Sequence, residues 1–352
     1  MLVHICCSVD SHYFLKRLRE ALPLEPLIGF FYNPNIHPYD EYRLRLFDVR
    51  RSCEKYGIKL IEGEYDVQNW CEAVKGLECE KERGARCEVC FEKRLEVTAK
   101  KAKELGEERI TTTLFMSPKK SFAQLEEAAA ATAKKEGVEV LCFDFRKGGG
   151  SGEQFKLARE ERLYHQNYCG CMYALSNQRE AQKRPLDEMM SPIGRDILPC
   201  CIQERLGLYE KVVECEKNAQ RFDIERQKFQ NYRLLWGRVS ENDHTIGSYF
   251  LSEIEGGVFE YEVSDVNGGF GFTKERAVFL DIGALNKLAK SGYKSVKELI
   301  FEPLVRQKRL DICKELADFS PIVVLDDVKK TTYKIECRAT FYQDIIEVLA
   351  IL

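Results

Sequence analysis

The chain has 352 residues, of which 54 are Lys or Arg and 57 are Asp or Glu, so its formal net charge is −3 at pH 7. With 44 % hydrophobic residues, the composition is typical of a globular protein of two domains or one large one, and it excludes disordered and fibrous chains. The apolar runs are far shorter than the roughly 20 residues that span a bilayer, and the amino terminus lacks the basic start of a secretory leader, so we expect a cytoplasmic protein without a membrane partner.

Short apolar segments alternate with segments of helical spacing over the first part of the chain. The predicted strands are 3–6, 27–32, 58–62, 109–114 and 138–143. The predicted helices are 11–22, 41–56, those within 66–105, 121–135 and 154–168. This alternation predicts an α/β fold with a parallel Rossmann-like (HUP-like) sheet, helices on both faces, and ligand sites at the carboxyl ends of the strands.

The pattern changes near residue 178. We predict a charged helix over 204–232, then strands at 234–239, 248–254 and 258–263 and helices at 282–291 and 295–316. Gly256-Gly257 and Asn267-Gly268-Gly269 are typical of hairpin turns. The sequence therefore predicts an α/β domain over 1–178 and an α+β C-terminal region of unassigned role over 179–352.

Cysteine is the unusual residue type, because 15 are too few for a disulfide-stapled secreted domain and many for a reduced compartment. Six of them form close pairs in the α/β domain, namely Cys6-Cys7, Cys87-x-x-Cys90 and Cys169-Gly170-Cys171. Neighbouring residues of a strand point to opposite faces, so the first pair reaches one metal only if the chain leaves its strand there. The other pairs begin and end predicted helices that bring them to the same edge of the sheet.

Unpaired cysteines have a simpler interpretation as small apolar residues. Cys142 lies in an apolar run, and we expect it in the core. The pair Cys200-Cys201 lies outside the predicted α/β domain, and we expect it to be structural as well.

Three kinds of site are compatible with the paired cysteines. The segment from Cys7 to Ser11 stands where ATP-pyrophosphatase-type enzymes place a glycine-rich phosphate loop, but it has no glycine, which argues against ATP chemistry. A zinc site would use four cysteines and leave Cys6, Cys7 and Asp10 unexplained. Four thiolates saturate an iron–sulfur cluster, and the surplus of thiols with Asp10 suggests a second metal ion beside it.

Polar residues follow the other predicted strands, and they are Asn33, Asn35, His37, Lys120, Asp144, Arg146 and Lys147. Because these strand ends share one edge of the sheet, we expect a polar pocket beside the metals. Such a pocket favours an enzyme. The alternatives are a non-enzymatic iron–sulfur carrier and a zinc-stabilised RNA-binding module.

Several segments together resemble the QueH family of epoxyqueuosine reductases. They are His4 to Cys7, Tyr32 to Pro38 with Glu41-Tyr42, Arg86 to Phe91 with Arg94-Leu95, Thr111 to Leu114 with Ser117-Pro118, Asp144 to Lys147, and Tyr164 to Cys171. These segments run through residues 1 to about 175 in the family's order, and the rest of the chain lies outside the resemblance.

The resemblance implies a cytoplasmic, cobalamin-independent oxidoreductase that removes the epoxide oxygen of epoxyqueuosine at the wobble position of tRNA. It implies a 4Fe-4S cluster beside a mononuclear iron, and an external electron donor. The expected metal ligands are Cys6, Cys7, Asp10, Cys87, Cys90, Cys169 and Cys171. The candidate proton donors are His37, Lys120 and Tyr164. The candidate substrate contacts are Asn33, Asn35, Asp144, Arg146, Lys147 and Gln166.

Charge predicts no broad surface for tRNA. Residues 1–175 hold 28 basic and 28 acidic side chains, and the remainder holds 26 and 29. A basic footprint is therefore expected to be local. The candidates are Lys119 with Lys120 and a row of arginines on one helix, Arg43, Arg45, Arg50 and Arg51. We expect the acidic C-terminal region to contact phosphates only if its basic residues cluster on one face.

Overall fold

The computed structural model describes residues 1–190 and 197–352, which form two compact units. The first comprises Met1–Met189, Arg205–Ile224 and Ile351–Leu352, and the second comprises Met190–Glu204 and Glu225–Ala350. The first unit thus extends beyond residue 178 and includes a segment from the predicted C-terminal region.

A five-stranded sheet forms the centre of the first unit. Its strands are β1 (Leu2–His4), β2 (Ile28–Phe31), β3 (Lys59–Glu62), β4 (Arg109–Thr112) and β5 (Glu139–Val140). They lie in the order β3-β2-β1-β4-β5, and every pairing is parallel. The predicted α/β sheet is confirmed. Because the strand order reverses beside β1, the end of β1 is the place where such sheets bind ligands.

Helices cover this sheet on both sides. They are α1 (Ser8–Ala21), α2 (Tyr39–Lys55), α3 (Val67–Ala73), α4 (Ala85–Glu104), α5 (Phe122–Glu136), α6 (Gly150–Glu160), α7 (Met172–Ala181) and α8 (Ile202–Lys217). Alternate strand residues enter two separate apolar clusters, with Val3 and Phe31 in one and Leu2 and Phe30 in the other. The central strands β1 and β2 are buried on both faces, which explains why they are short apolar runs, whereas the edge strand β3 is partly exposed.

Two predicted helices of the chain are wrong in extent. The helix predicted over 154–168 ends at Glu160, because Arg162 adopts a positive φ of 49° that stops the helix. The charged helix predicted over 204–232 ends at Lys217, and a strand begins at Phe222. The prediction that Cys142 lies in the core is also wrong. Cys142 is exposed, because β5 ends two residues before it.

The second unit contains a mixed sheet of eight strands. They are β6 (Phe222–Glu241), β7 (His244–Ile246), β8 (Ser248–Phe250), β9 (Gly257–Asn267), β10 (Phe270–Thr273), β11 (Val278–Asp281), β12 (Ile322–Leu325) and β13 (Thr332–Ile351). Their order is β7-β6-β13-β9-β10-β11-β12-β8. The helices α9 (Ile282–Ala289), α10 (Val296–Phe301) and α11 (Arg306–Glu315) complete the predicted α+β region.

Several details of this unit were not predicted. Strands β7 and β10 to β13 had no predicted counterpart, and the helix predicted over 295–316 is divided into α10 and α11, with Pro303 between them. Gly268 and Gly269 form the predicted β9–β10 turn with φ values of 59° and 88°. Gly256-Gly257 is not a hairpin turn, because β8 pairs with β12 and not with β9. No helix in the described ranges is both long and apolar enough to cross a membrane.

Candidate metal centre

The first group of candidate ligands lies directly after β1. The strand ends at His4 and α1 begins at Ser8, so Cys6 and Cys7 lie in a bend and their side chains face the same space. The Cys6 and Cys7 Sγ atoms are 3.6 Å apart, and Cys6 Sγ lies 3.8 Å from Asp10 Oδ2 in the first turn of α1. We call Cys6, Cys7 and Asp10 the strand-end set. Within the described ranges it is the one group of three metal-ligating side chains with ligand atoms inside 4.8 Å of one another.

Neighbouring side chains hold the strand-end set in place. Thr113 Oγ1 donates to Cys6 Sγ at 3.4 Å and accepts from the Cys6 amide at 3.1 Å. Gln154 Nε2 in α6 donates to Asp10 Oδ1 at 2.6 Å, which orients that carboxylate. The hydrogen bond between the two thiols lowers the pKa of Cys6 and raises that of Cys7. The set therefore provides one readily formed thiolate and a carboxylate, which together suit a divalent transition metal.

The second group consists of four cysteines that line one cavity. Cys87 and Cys90 lie near the start of α4, and Cys169 and Cys171 lie in the loop before α7. We call this the four-cysteine cavity. Burial raises the pKa of Cys87 to about 11 and that of Cys171 to about 12, so metal binding there would release protons.

The spacing of these four sulfurs tests which metal fits. A single zinc bonds four sulfurs at roughly 2.3 Å in a tetrahedron, which brings all of them within about 4 Å of one another. The cavity sulfurs do not form such a compact group, since no three of them lie within 4.8 Å of one another in the described part of the chain. A four-iron cluster places its irons and sulfides between the thiolates and therefore accepts the wider spacing.

Buried cationic side chains around the cavity also fit an anionic cluster. Arg86 and Arg94 are 1 % and 2 % exposed and line the cavity. Arg86 Nε and Nη2 and Arg94 Nε have no hydrogen-bond partner among the described residues, and buried donors of this kind need an acceptor. Lys120 Nζ lies 3.8 Å from Cys169 Sγ, and although burial lowers its pKa, Cys169 and Cys6 raise it overall.

A buried ion pair holds the loop that carries Cys169 and Cys171. Arg45 Nε donates to Glu41 Oε1 at 2.7 Å, while its Nη1 and Nη2 donate to the carbonyls of Cys169 and Tyr168, both at 3.0 Å. The intervening Gly170 has φ of 108°, a conformation that favours glycine. The loop geometry therefore depends on a residue of α2 far from it in sequence.

The candidate proton donors occupy different environments. Lys120 lines the cavity. His37 is buried beside the cavity-lining Trp70, with 5.5 Å between ring centroids; burial lowers its pKa, and its Nε2 has no partner among the described residues. Tyr164 is directed away, because its hydroxyl donates to Glu41 Oε2 at 2.8 Å.

The candidate substrate contacts also separate into two groups. Asn35 lines the cavity, and its Oδ1 is buried without a partner in the part of the chain described. Gln166 Oε1 is likewise buried and unpartnered there. Asn33 instead bonds the Ile5 carbonyl and Arg94 within the fold. The remaining three follow β5 as a local ion group, and they are Asp144, Arg146 and the exposed Lys147.

The arginine row predicted on α2 does not form a basic footprint. Arg45 is buried against Glu41, and Arg51 pairs with Asp48. The exposed members of the row, Arg43 and Arg50, also have carboxylate partners. Sequence reasoning missed the roles of Arg45, Arg86, Arg94 and Gln154. Arg94 had a usable signal, because it lies four residues after Cys90 on the same face of a helix.

A family model described as epoxyqueuosine reductase QueH matches residues 1–177. A relative of that name from Helicobacter pylori is 38 % identical over 367 aligned residues, which cover 98 % of each chain. The chain belongs to the epoxyqueuosine reductase QueH family. A QueH relative from Thermotoga maritima is 36 % identical over 183 residues, which cover 51 % of this chain and 92 % of its own. The QueH resemblance drawn from the sequence motifs is confirmed.

Among solved structures, the chain is similar to the U34-tRNA thiolase NcsA of Methanococcus maripaludis, which was solved with its 4Fe-4S cluster. The TM-score is 0.33 at 15 % identity, over 60 % of this chain and 72 % of the other. The QueH family match spans both the strand-end set and the four-cysteine cavity and ends before the second unit.

Proposed function

We propose that this chain reduces epoxyqueuosine in tRNA to queuosine at the four-cysteine cavity and the adjoining strand-end set, without cobalamin. In the balanced reaction two carbon–oxygen bonds break, a carbon–carbon double bond forms, and the oxygen leaves as water with two electrons and two protons consumed. In this proposal an external donor supplies the electrons. The family membership supports the reaction and its tRNA substrate.

The observation that carries the proposed cofactors is the presence of two different donor sets that share one cation. Lys120 contacts Cys169 of the cavity and interacts electrostatically with Cys6 and Asp10 of the strand-end set. In our proposal the four cavity cysteines hold a 4Fe-4S cluster, and the strand-end set holds the mononuclear iron. When bound, the cluster supplies single electrons and the iron acts as a Lewis acid toward the epoxide oxygen.

The protein's own residues position the substrate and supply a proton. Lys120 is the candidate proton donor that lines the cavity, and its ammonium can transfer a proton to the departing oxygen. The unpartnered Asn35 Oδ1 is an acceptor available to substrate hydroxyl or amine groups. His37 and Tyr164 remain candidate members of a proton path behind the cavity, while Asp144, Arg146, Lys147 and Gln166 remain candidate contacts to the modified base or its phosphates.

The activity is tested by incubating anaerobically purified protein with epoxyqueuosine-containing tRNA and a strong reductant, followed by nucleoside mass spectrometry. We expect the modified nucleoside to lose one oxygen. Retention of that oxygen under reducing conditions would overturn the proposed reaction.

Because 15 free thiols persist only where the compartment is reducing, we place the reaction in the cytoplasm.

The cofactor assignment is tested by counting metals. We expect brown protein with about five irons per chain, as a cubane and one further ion require. Asp10→Ala should lose about one iron and keep the cluster absorption, whereas Cys90→Ser should lose the cluster. Cys79→Ser changes an exposed thiol outside both groups and is the matched control. Colourless protein with one zinc, or loss of the cluster in Asp10→Ala, would contradict the assignment.

A further inference from the structure

Two long strands of the second unit continue beyond the sheet as a two-stranded ribbon. Strand β13 pairs with β9 only over Thr332 to Cys337, but it runs on to Ile351 beside β6. Three contacts show that β6 and β13 are antiparallel, because the partner's number falls as the β6 number rises. They are the pairs Arg226–Glu347, Tyr232–Phe341 and Arg238–Glu336.

One face of this ribbon is covered within the second unit. The side chains of Asn231 and Arg233 donate to the Pro199 carbonyl at 3.4 and 2.7 Å. Arg306 of α11 lies over the Phe229 ring at 5.9 Å. The covered residues Phe229, Asn231 and Arg233 are all odd-numbered. Because successive strand residues point to opposite faces, the even-numbered residues of this part of β6 lie on the opposite face of the ribbon.

That opposite face is exposed and carries aromatic and basic side chains. We call it the ribbon face, and its exposed members are Arg226, Lys228, Trp236, Arg238, Arg338, Phe341 and Ile345, beside the half-buried Tyr232 and the carboxylates Glu336 and Glu347. Trp236 is 52 % exposed, and the Arg238 guanidinium lies 5.7 Å from the centroid of its ring. Arg226 and Arg238 each have a carboxylate partner, but Lys228 and Arg338 have none among the described residues.

We propose that the ribbon face binds the tRNA substrate outside the nucleotide that reacts, an inference that rests on the proposed function. Lysine and arginine side chains neutralise phosphates, and exposed aromatic rings stack on unpaired bases. Glu347 and Glu336 offset Arg226 and Arg238 on the ribbon face, which leaves Lys228 and Arg338 as its excess positive charge. Four basic residues of this acidic region cluster on the ribbon face, and a cluster on one face is the condition under which we expected the region to contact phosphates.

The charge of the ribbon face distinguishes RNA from a protein partner. Protein interfaces are also enriched in aromatic residues and arginine, but their centres are depleted of charged residues overall, and lysine is rare there. The ribbon face instead carries four cations, among them Lys228, against the two carboxylates Glu336 and Glu347. The Thermotoga maritima relative aligns with 51 % of this chain, so in this proposal the reaction centre lies in the shared part. The ribbon would then supply additional affinity for the tRNA.

The proposal is tested by measuring the binding of epoxyqueuosine-containing tRNA to the full chain over a range of salt concentrations. Lys228→Ala/Arg338→Ala should weaken binding about 5- to 50-fold and reduce the slope of log K against log salt by about 1.5, as expected for two lost phosphate contacts. Trp236→Ala should weaken binding about 5- to 100-fold through lost stacking. The charge-matched control is Lys297→Ala/Lys314→Ala, at exposed helix positions of the same unit.

The same variants are then assayed for reduction. We expect a raised KM for tRNA, an unchanged kcat at saturation, and recovery of binding in Lys228→Arg/Arg338→Lys. Binding equal to the charge-matched control would overturn the proposal. A change of oligomeric state in Trp236→Ala by light scattering, with tRNA affinity unaltered, would assign the face to a second copy. If the wild type binds tRNA through the ribbon face but removes no oxygen, the ribbon proposal stands and the proposed reaction fails.

Discussion

Replacing Arg45 with lysine should loosen the loop that carries two of the four cavity cysteines without unfolding the first unit. The guanidinium of Arg45 makes three hydrogen bonds, one to Glu41 and two to the carbonyls of Tyr168 and Cys169. A lysine at this position keeps the charge next to Glu41. Its single ammonium cannot reproduce the planar arrangement of donors that reaches both carbonyls.

The expected size of the effect follows from the lost contacts. Each hydrogen bond to a charged group contributes about 1.5–3 kcal/mol, so losing two raises the free energy of the closed loop by about 3–6 kcal/mol before relaxation. Local opening should therefore become roughly 100- to 10,000-fold more frequent, at 1.4 kcal/mol per tenfold change. The exposed pair of Arg50 with Glu62 offers a contrast, because surface pairs contribute at most about 1 kcal/mol.

Hydrogen–deuterium exchange of metal-free protein measures this opening directly. Two amides report on the loop, His37 N bonded to the Gly170 carbonyl at 2.8 Å and Leu175 N bonded to the Cys171 carbonyl at 2.9 Å. Both should exchange faster in Arg45→Lys, and the variant should retain less iron after reconstitution. Arg50→Lys is the control. Equal exchange rates and equal iron content in the two variants would refute the role assigned to Arg45.

Three further predictions concern single side chains of the first unit. Gly170→Ala should destabilise the first unit by about 1–3 kcal/mol in thermal unfolding, because φ at Gly170 is 108° and a Cβ there would lie 2.9 Å from Ile36 Cγ1. Gly207→Ala, in an open helical position, is the control and should not destabilise the unit. Gln154→Leu should weaken iron binding at the strand-end set about 10- to 100-fold in chelator competition, with the cluster retained, since it removes the donor to Asp10. Arg86→Met should lower the midpoint potential of the proposed cluster in a redox titration followed by electron paramagnetic resonance, whereas Arg86→Lys, which keeps the charge, should lower it less; an unchanged potential in Arg86→Met would contradict a contact with the cluster.

The parallel sheet and the cysteine pairs were predictable because their signals are local. The central strands β1 and β2 are short apolar runs, and each pair of cysteines lies beside the end of an element. Adjacent residues of a strand point to opposite faces, so Cys6 and Cys7 can face one metal only if the strand ends before them, and β1 does end at His4. The strand-end set could therefore be assembled from sequence spacing alone.

The loop before Cys169 was not predictable, because distant partners determine its conformation. Tyr164 and Tyr168 are four residues apart and matched the spacing of a helix face. In the structure their hydroxyls donate to Glu41 and to the His37 carbonyl, both more than 120 residues earlier. Arg45 was misread for the same reason, since a basic residue on a charged helix is normally exposed, and only the returning loop buries it.

The ribbon shows why a charge count over a region cannot exclude a nucleic-acid surface. Residues 225–230 are rich in Glu, Arg, Gln and Lys, which favour a helix in isolation. They form a strand because β13, more than 100 residues later, brings the strand-forming Ile345, Ile346 and Val348 alongside. A helix distributes charges around its axis, whereas a strand sorts alternate residues to opposite faces. A segment that is nearly neutral in total can therefore present an excess of cations on one face, and the experiments on the ribbon face test whether that excess binds tRNA.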